Sequence, residues 1–229
     1  MKNCFDVLII GAGAAGLFCS IECGKRGRSV LVLEHSEKAG KKILLSGGGR
    51  CNFTNLNVTS ANFISKNRNF CKSALARFTP QNFTSLLEKH KIEFFEKKAG
   101  QLFCRENAKK LLDMLLTECK SNNVQFKFNT EVQAIEKNEK FRVKTSDGEY
   151  EAASLVVATG GLSLPETGAS DFGYRIAQQF GLNIIQPVPG LVPILFNDTD
   201  VAYYSKLSGI SIASLVKCKK REFREKILF

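Results

Sequence analysis

The first 34 residues show two apolar runs separated by a helical pattern. Residues 5–10 form a short apolar stretch rich in β-branched side chains, which predicts a buried strand. Residues 14–25 predict a helix, Gly27 interrupts the chain, and residues 29–33 predict a second strand that ends in Glu34. The pattern therefore predicts a β-α-β unit.

The pattern changes again farther along the chain. Residues 80–90 and 107–121 carry apolar positions at helical spacing. Residues 124–128 and 141–145 alternate between apolar and polar, and the turn at Asp147-Gly148 joins the second of these to residue 150 onward. We expect a β-meander here that leads back into a buried strand at residues 155–158.

Composition indicates a globular protein. Of its 229 residues, 44% are hydrophobic and 24% are charged, which excludes disordered and collagen-like chains. No run approaches the roughly 18 apolar residues that span a bilayer. The first residues lack the apolar core of a secretory signal, so we expect a cytoplasmic protein without a membrane partner.

The cysteines and histidines do not form a recognisable metal site. None of the eight cysteines belongs to a Cys-x-x-Cys pair, which argues against a zinc ribbon, a cluster site or a thioredoxin-like dithiol. His35 and His90 have no paired acid or cysteine at ligand spacing. We therefore predict no metal.

The net charge of +11 raises the question of a nucleic-acid partner, because phosphate backbones attract basic surfaces. We interpret the excess as spread along the chain rather than gathered in an arginine-rich motif, and no RNA-binding aromatic motif accompanies it. Its densest cluster comprises Lys217, Lys219, Lys220, Arg221, Arg224 and Lys226. A solvated basic face is the favoured interpretation, and a nucleic-acid partner is not favoured.

The strongest chemical motif lies between the first predicted strand and helix, where residues 11–16 read Gly-Ala-Gly-Ala-Ala-Gly. Gly11 permits a tight turn, Gly13 lets the backbone approach a pyrophosphate, and Gly16 allows close packing of helix on strand. Glu34 stands where a carboxylate accepts hydrogen bonds from an adenosine ribose. It disfavours a 2′-phosphate, so the motif predicts FAD or NAD rather than NADP.

A second glycine-rich segment lies at residues 38–55, where three consecutive glycines flanked by Ser46, Arg50 and Asn52 suit neither a strand nor a helix. Such a segment can lay main-chain N–H groups against a ligand. It reads Lys-Ile-Leu-Leu-Ser-Gly-Gly-Gly-Arg-Cys-Asn-Phe-Thr-Asn from Lys42 to Asn55. This combination resembles the bacterial BaiN-type, or aminoacetone-oxidase-family, NAD(P)/FAD-dependent flavoproteins. The resemblance continues through residues 155–161, 163–168, 173–177 and 189–193.

The resemblance implies bound FAD, a small organic substrate, and NAD(P)H as a transient reductant. It implies that the ADP half is held by Gly11, Gly13, Ala14, Ala15, Gly16 and Glu34. It places Lys42, Ser46, Gly47, Gly48, Gly49, Arg50, Cys51 and Asn52 along the pyrophosphate and flavin. It brings Val132 to the adenine, and Ala158, Thr159 and Gly160 close to the cofactor.

Two of these residues allow alternatives. Cys51 lacks the nearby second cysteine of flavin dithiol reductases, so a small thiol lining the pocket is favoured over a redox-active one. Arg50 is equally consistent with a positive charge near the flavin and with a surface arginine. No acid–base pair in the sequence is assigned to catalysis.

The sequence thus predicts an α/β fold. Residues 1–187 form a Rossmann-like FAD-binding domain, with a parallel sheet and a β-meander crossover. After a linker punctuated by Pro187, Pro189 and Pro193, residues 188–229 begin a β-rich inserted domain, with strands at 211–216 and 227–229. Because the pattern stops within an apolar strand, we expect a truncated domain.

Three functions follow from this interpretation. The leading one is an FAD-dependent oxidoreductase that acts on a small organic substrate, with flavin N5 as the hydride carrier. The second is a truncated or degenerate family member without turnover. The third, motivated by the net positive charge, is an RNA-modifying flavoprotein.

Overall fold

A computed structural model describes residues 3–164, 167–190, 195–219 and 221–229, with the side chains of Arg221 and Glu225 left aside. Parts of the motifs noted above, namely Pro165, Glu166, Leu191, Val192, Pro193 and Lys220, lie outside the described residues. The chain divides into two units, residues 1–184 and 185–229, and each is considered by itself.

The first unit is built around a six-stranded sheet. Its strands are β1 Cys4–Ile10, β2 Val30–Leu33, β6 Gln125–Lys127, β7 Val132–Lys137, β8 Phe141–Thr145 and β9 Gly148–Val157. They lie in the order β6-β2-β1-β9-β8-β7. Strands β6, β2, β1 and β9 are parallel, whereas β8 and β7 are antiparallel to their neighbours.

Helices cover the sheet. The helices of this unit are α1 Ala14–Lys25, α2 Lys41–Leu45, α3 Lys72–Arg77, α4 Pro80–Lys89, α5 Ala108–Ser121 and α6 Phe172–Gln179. Polar side chains define two of their starts: Asn82 and Thr79 bond reciprocally at α4, and Asn107 accepts from the Lys110 N–H at α5. The predicted helices at 80–90 and 107–121 are confirmed within one residue.

Strand β1 is buried on both faces, as its continuous apolar run predicts. Val7 and Ile9 pack in the core that includes α1 and α5, whereas Leu8 and Ile10 pack in a second core with β7 and β8. Leu8 and Ile9 are fully buried. The helix layer therefore covers one face, and the meander and α6 approach the other.

A small second sheet follows the glycine-rich segment. It has the order β3-β5-β4, with β3 Asn52–Asn55, β4 Phe94–Glu96 and β5 Gln101–Cys104. Phe53 of β3 lies 5.6 Å from Phe83 of α4 and 5.8 Å from Phe94 between ring centroids. The tilted contact with Phe83 ties the small sheet to the helix layer, whereas the edge-on contact with Phe94 lies within the small sheet.

The three consecutive glycines 47–49, expected to suit neither a strand nor a helix, lie between two regular elements: α2 fills residues 41–45 and β3 begins at Asn52. They form a 3-10 turn, Ser46–Gly49, in which Gly47 and Gly48 have non-helical backbone angles. The turn is tolerated because Gly47 and Gly48 adopt φ of 60° and 66°, where glycine pays no steric penalty.

The meander also differs in its members. Residues 124–128 contribute β6, which is not part of the meander but pairs parallel with β2 at the sheet edge. The meander is β7-β8-β9, and β9 is a single ten-residue strand. Its first half pairs antiparallel with β8 and its second half parallel with β1.

The second unit contains the helix α7 Asp198–Tyr204, a 3-10 turn Ser205–Leu207, and a hairpin of β10 Ser211–Cys218 and β11 Arg221–Leu228. The hairpin register pairs Ile212 with Ile227 and Val216 with Phe223. The strand predicted at 227–229 therefore begins six residues earlier. No helix among the described residues is long and apolar enough to cross a membrane.

Candidate functional site

A cavity of about 1700 Å³ opens at the carboxyl ends of the parallel strands of the first unit. The ends of β1, β2 and β9 contribute Ile10, Leu33 and Val157, and residues 129–132 after β6 close one side. Ligands of open α/β sheets bind at this edge because the chain there turns away from the sheet and leaves a crevice.

The first wall of the cavity is the turn between β1 and α1. Gly11 has φ of 104°, and a Cβ at this position would stand 2.5 Å from the carbonyl oxygen of Ala158. No other residue type fits there, because the turn touches the end of β9. Gly11 also donates its N–H to the Leu33 carbonyl at 2.8 Å, which ties the turn to β2.

The start of α1 faces the same cavity. Gly13 is the N-cap residue, and among the described residues no side chain caps this helix end. A Cβ on Gly13 would meet no atom within 4 Å, and Gly13, Ala14 and Ala15 line the cavity. Uncapped N–H groups and the positive end of the helix dipole favour an anion such as a pyrophosphate.

Glu34 follows β2 and is buried, with 8% of its surface exposed. Its carboxylate accepts hydrogen bonds from the Ala12 N–H at 2.8 Å and the Ser36 N–H at 2.9 Å, and His35 Nδ1 lies 3.0 Å away. The carboxylate thus fixes the glycine turn against β2. It also lines the cavity, where it remains the predicted acceptor for ribose hydroxyls.

Lys42 links α2 to the loop after β9. Its Nζ donates to the carbonyl oxygen and to Oγ of Ser163, both at 3.2 Å. The Cβ position of Gly160 lies 3.9 Å from the same nitrogen. The ammonium group therefore places a positive charge beside residues 158–160, all of which line the cavity together with Lys42.

Cys51 stands between the 3-10 turn and β3. It is 6% exposed with φ of 51°, and its N–H donates to the Ser46 carbonyl at 2.9 Å. Burial raises the pKa of the Cys51 thiol. Burial and the nearby Cys51 together raise the pKa of Cys104 to about 11. Both sulfurs are therefore neutral thiols near pH 7, which suits a pocket wall better than a nucleophile.

Most of the site residues predicted from sequence meet in this one cavity. The lining includes Gly11, Gly13, Ala14, Ala15, Glu34, Lys42, Ser46, Cys51, Asn52, Val132, Ala158, Thr159 and Gly160. Gly16, Gly47, Gly48, Gly49 and Arg50 are not among the lining residues. Gly16 instead packs against the Gly11 carbonyl, and exposed Arg50 has its guanidinium 5.9 Å from the Phe95 ring centroid.

Sequence reasoning missed two parts of the lining. One comprises residues 129–131 together with residues 167–170, Phe172 and Arg175. Arg175 Nε donates to Asp171 at 3.0 Å. The rule that ligands bind at the carboxyl edge of parallel strands would have found residues 129–131, had β6 been assigned to that sheet. The other is an apolar end lined by Phe18, Phe53, Phe78 and Phe83.

The residues present fit a dinucleotide such as FAD. The uncapped helix end and the open position at Gly13 suit a pyrophosphate, and buried Glu34 lies one strand away for a ribose. The volume also exceeds the roughly 300–1,000 Å³ of an ordinary small-molecule site, so a ligand of two joined nucleotides can be accommodated.

Comparison with known proteins agrees with this geometry. Residues 5–217 match the family model described as the HI0933-like protein Rossmann domain. The chain belongs to the HI0933-like family. This confirms the Rossmann-like α/β fold expected from the sequence. It confirms the resemblance to flavoproteins at the level of the family of FAD-binding Rossmann domains, but not the narrower BaiN-type or aminoacetone-oxidase assignment.

Two curated relatives of this HI0933-like chain carry different names. "Ribosomal RNA dihydrouridine synthase" of Escherichia coli (strain K12) is 47% identical over 98% of this chain and 57% of its own length. "3-dehydro-bile acid delta(4,6)-reductase" of Clostridium scindens is 29% identical over 81% of this chain and 46% of its own length. The chain thus spans about half the length of the relatives it matches, and neither carries the aminoacetone-oxidase name.

Solved structures agree on the fold. Glycine oxidase from Geobacillus kaustophilus superposes with a TM-score of 0.57 over 80% of this chain and 60% of its own. Its sequence is 16% identical, so the likeness concerns the fold alone.

Proposed function

We propose that this protein is an FAD-dependent reductase that saturates a carbon–carbon double bond of a uracil base in ribosomal RNA. The observation that carries the proposal is the cavity at the carboxyl edge of the sheet, which joins a dinucleotide-type turn to an apolar, ring-lined end. The name of the 47% identical relative supports the choice of substrate. Such a substrate would place the reaction in the cytoplasm, as the sequence predicts.

The cofactor is assigned to the glycine-turn end of the cavity. There the residues of this chain would bind and orient the dinucleotide: the start of α1 would bind the pyrophosphate, and Glu34 would accept hydrogen bonds from a ribose. FAD, when bound, supplies hydride transfer to and from its flavin ring. Lys42 holds a positive charge beside residues 158–160, where it would offset negative charge that develops on a bound ring system.

The ring-lined end suits a flat base. Phe18 lies 4.9 Å from Phe78 and 6.4 Å from Phe83 between centroids, in edge-to-face contacts. Aromatic side chains of this kind receive unstacked bases in single-stranded RNA. An apolar wall also excludes water from the carbon atoms that gain hydrogen, which protects the hydride step.

A second candidate is reduction of a small organic substrate, as the resemblance to BaiN-type or aminoacetone-oxidase-family proteins implies. The 29% identical relative is named for reducing a bile acid with double bonds conjugated to a ketone. Uracil also carries its double bond next to a carbonyl. Both names therefore describe reduction of a conjugated carbon–carbon double bond, in an RNA base in one case and in a steroid in the other. The apolar part of the cavity lining suits an apolar substrate of steroid size, which favours this candidate.

The cofactor assignment is tested by reconstituting the purified chain with FAD and removing free flavin. We expect bound flavin absorbance and an upward shift in melting temperature, because a ligand that binds only the native state stabilises it. Parallel samples with NAD and NADP should give smaller shifts. A colourless protein with an unchanged melting temperature would contradict the assignment.

The substrate assignment is tested by supplying FAD, an electron donor and deproteinised ribosomal RNA, and counting dihydrouridine by nucleoside mass spectrometry. Dithionite and NAD(P)H serve as separate donors. We expect dihydrouridine in the RNA and none without FAD. The second candidate would be supported by a different result: no dihydrouridine forms and the bound flavin stays reduced with RNA, but a conjugated steroid ketone reoxidises it. Bound flavin without either reaction would indicate a member without turnover.

A further inference from the structure

The positive charge of this chain is concentrated in one segment. Residues 38–87 contain eight Lys or Arg residues and no Asp or Glu, between Glu37 and Glu88. The expectation that the excess is spread along the chain is therefore wrong for the first unit. The sequence does show this concentration of positive charge, but through the absence of Asp and Glu over 50 residues and not through closely spaced Lys and Arg residues.

Within this segment the stretch of residues 61–70 is exposed at every position. Ile64 is 99%, Phe70 77% and Phe63 48% exposed. Lys66 and Arg68 lie between these apolar side chains, and Lys72 follows. Among the described residues none of these three cations forms an ion pair.

The same stretch is anchored at the mouth of the cavity. Residues before and after it, Val58, Leu75 and Phe78, line the cavity. Phe78 packs edge-on against Phe18 of α1 and lies 6.2 Å from Phe83 of α4. The exposed stretch therefore continues at both ends into residues that line the cavity.

We propose that residues 60–78, which we call the basic-aromatic segment, bind single-stranded RNA and lead one unpaired base into the ring-lined end of the cavity. The proposal rests on the proposed function and adds the surface that holds the substrate. Cations interleaved with exposed rings are what sequence-tolerant single-strand binding needs, because the cations follow the phosphates and the rings stack on bases.

An anionic membrane is the competing partner for cations mixed with apolar side chains. Membrane-surface binding of this kind uses an amphipathic helix with separate polar and apolar faces. In the basic-aromatic segment α3 has only six residues, and Phe63, Ile64 and Phe70 lie before it. The position beside the cavity likewise favours a partner that the cavity can act on.

The experiment measures fluorescence anisotropy of a labelled twelve-nucleotide oligo(U) with the FAD-reconstituted full chain, at several salt concentrations between 50 and 200 mM. We expect K66Q/R68Q to reduce the slope of log affinity against log salt by about 1.4, since each lost phosphate contact removes about 0.7. F70A should weaken binding roughly tenfold with an unchanged slope. The control K120Q/K144Q removes two exposed cations elsewhere in the unit that form no ion pair within the described part of the chain, and it should change neither the slope nor the affinity.

Wild-type affinity in K66Q/R68Q, or an equal loss in K120Q/K144Q, would overturn the proposal. Loss of binding to vesicles with one-fifth anionic phospholipid, without loss for oligo(U), would assign the segment to a membrane instead. Bound flavin and melting temperature, measured on each variant, exclude misfolding as the cause.

The same variants separate this proposal from the proposed function. If dihydrouridine forms but oligo(U) does not bind at the segment, the proposed RNA-binding surface is wrong and the proposed reaction is unaffected. If oligo(U) binds at the segment but no dihydrouridine forms, the proposed reaction is wrong and the proposed surface is unaffected.

Discussion

Gly16 and Gly11 lie so close together that a Cβ built on Gly16 would stand 1.9 Å from the Gly11 carbonyl oxygen. The first turn of α1 therefore rests directly on the loop that precedes it. Glu34 holds the same loop from the β2 side through the Ala12 N–H. Together these contacts fix the backbone groups that would face a pyrophosphate.

We predict that G16A destabilises the fold, by about 2 kcal/mol or more, because an inserted methyl in a closed contact forces backbone shifts. The free energy of unfolding, measured with urea, should fall, and FAD affinity should fall with it. Unchanged unfolding of G16A would show that α1 can move away from the turn.

G13A is the matched control for this substitution. A Cβ on Gly13 meets nothing within 4 Å, and its φ of −82° suits any residue. We expect a normal melting temperature without FAD and a smaller melting-temperature shift on adding FAD, since the methyl stands where the pyrophosphate approaches. A full FAD shift in G13A would contradict the placement of the phosphates.

We predict that E34Q lowers stability by about 2 kcal/mol, because glutamine offers one acceptor oxygen and leaves the Ala12 or Ser36 N–H facing an amide group. The melting temperature should drop by about 4 °C or more, and FAD binding should weaken. E37Q is the control: Glu37 is exposed and pairs with Lys38 at the surface, so its loss should have little effect.

We predict slow alkylation of Cys51 and Cys104. All eight cysteines are free thiols, and Cys218 is exposed whereas these two are buried. With the Cys104 pKa at about 11, its thiolate fraction at pH 8 is on the order of one in a thousand. Iodoacetamide labelling followed by peptide mass spectrometry should modify Cys218 first.

The labelling of Cys104 should rise about tenfold per pH unit until the pH approaches 11. Labelling in guanidinium chloride, where burial is lost, serves as the reference. Equal rates for Cys104 and Cys218 in the native protein would contradict the burial of this sulfur.

We predict an acid-sensitive contact between α4 and α5. Glu118 is buried and accepts from Lys89 Nζ at 2.8 Å, and lies 2.6 Å from His90 Nε2. These two partners lower the pKa of Glu118. A carboxyl group with a lowered pKa stabilises the folded state above its unfolded pKa of about 4.3, and this contribution is lost as the pH falls through the folded value.

The difference in unfolding free energy between the wild type and E118Q should therefore shrink as the pH falls below about 4.3. D113N removes the exposed Lys109–Asp113 pair on α5 and should have little effect at any pH. A difference that grows on acidification would contradict the ion pairing.

The β-α-β unit was predictable because its determinants are local. The apolar runs of β1 and β2, and the glycines between them, fix the strands and the turn within 34 residues. The observed helix Ala14–Lys25 has the predicted bounds. The short elements around Gly47 were not predicted, because composition alone does not show that α2 begins at Lys41 or that three glycines with positive φ angles form one 3-10 turn.

The sequence by itself therefore determined the dinucleotide-type turn, its acidic partner Glu34 and the class of fold. Tertiary structure alone decided that β6 joins the parallel sheet, that residues 129–131 and Arg175 reach the same cavity, and that a ring-lined end adjoins it. The physical reason is that strand pairing and cavity walls depend on contacts between distant residues, whose pairing the local pattern of apolar and polar positions does not specify.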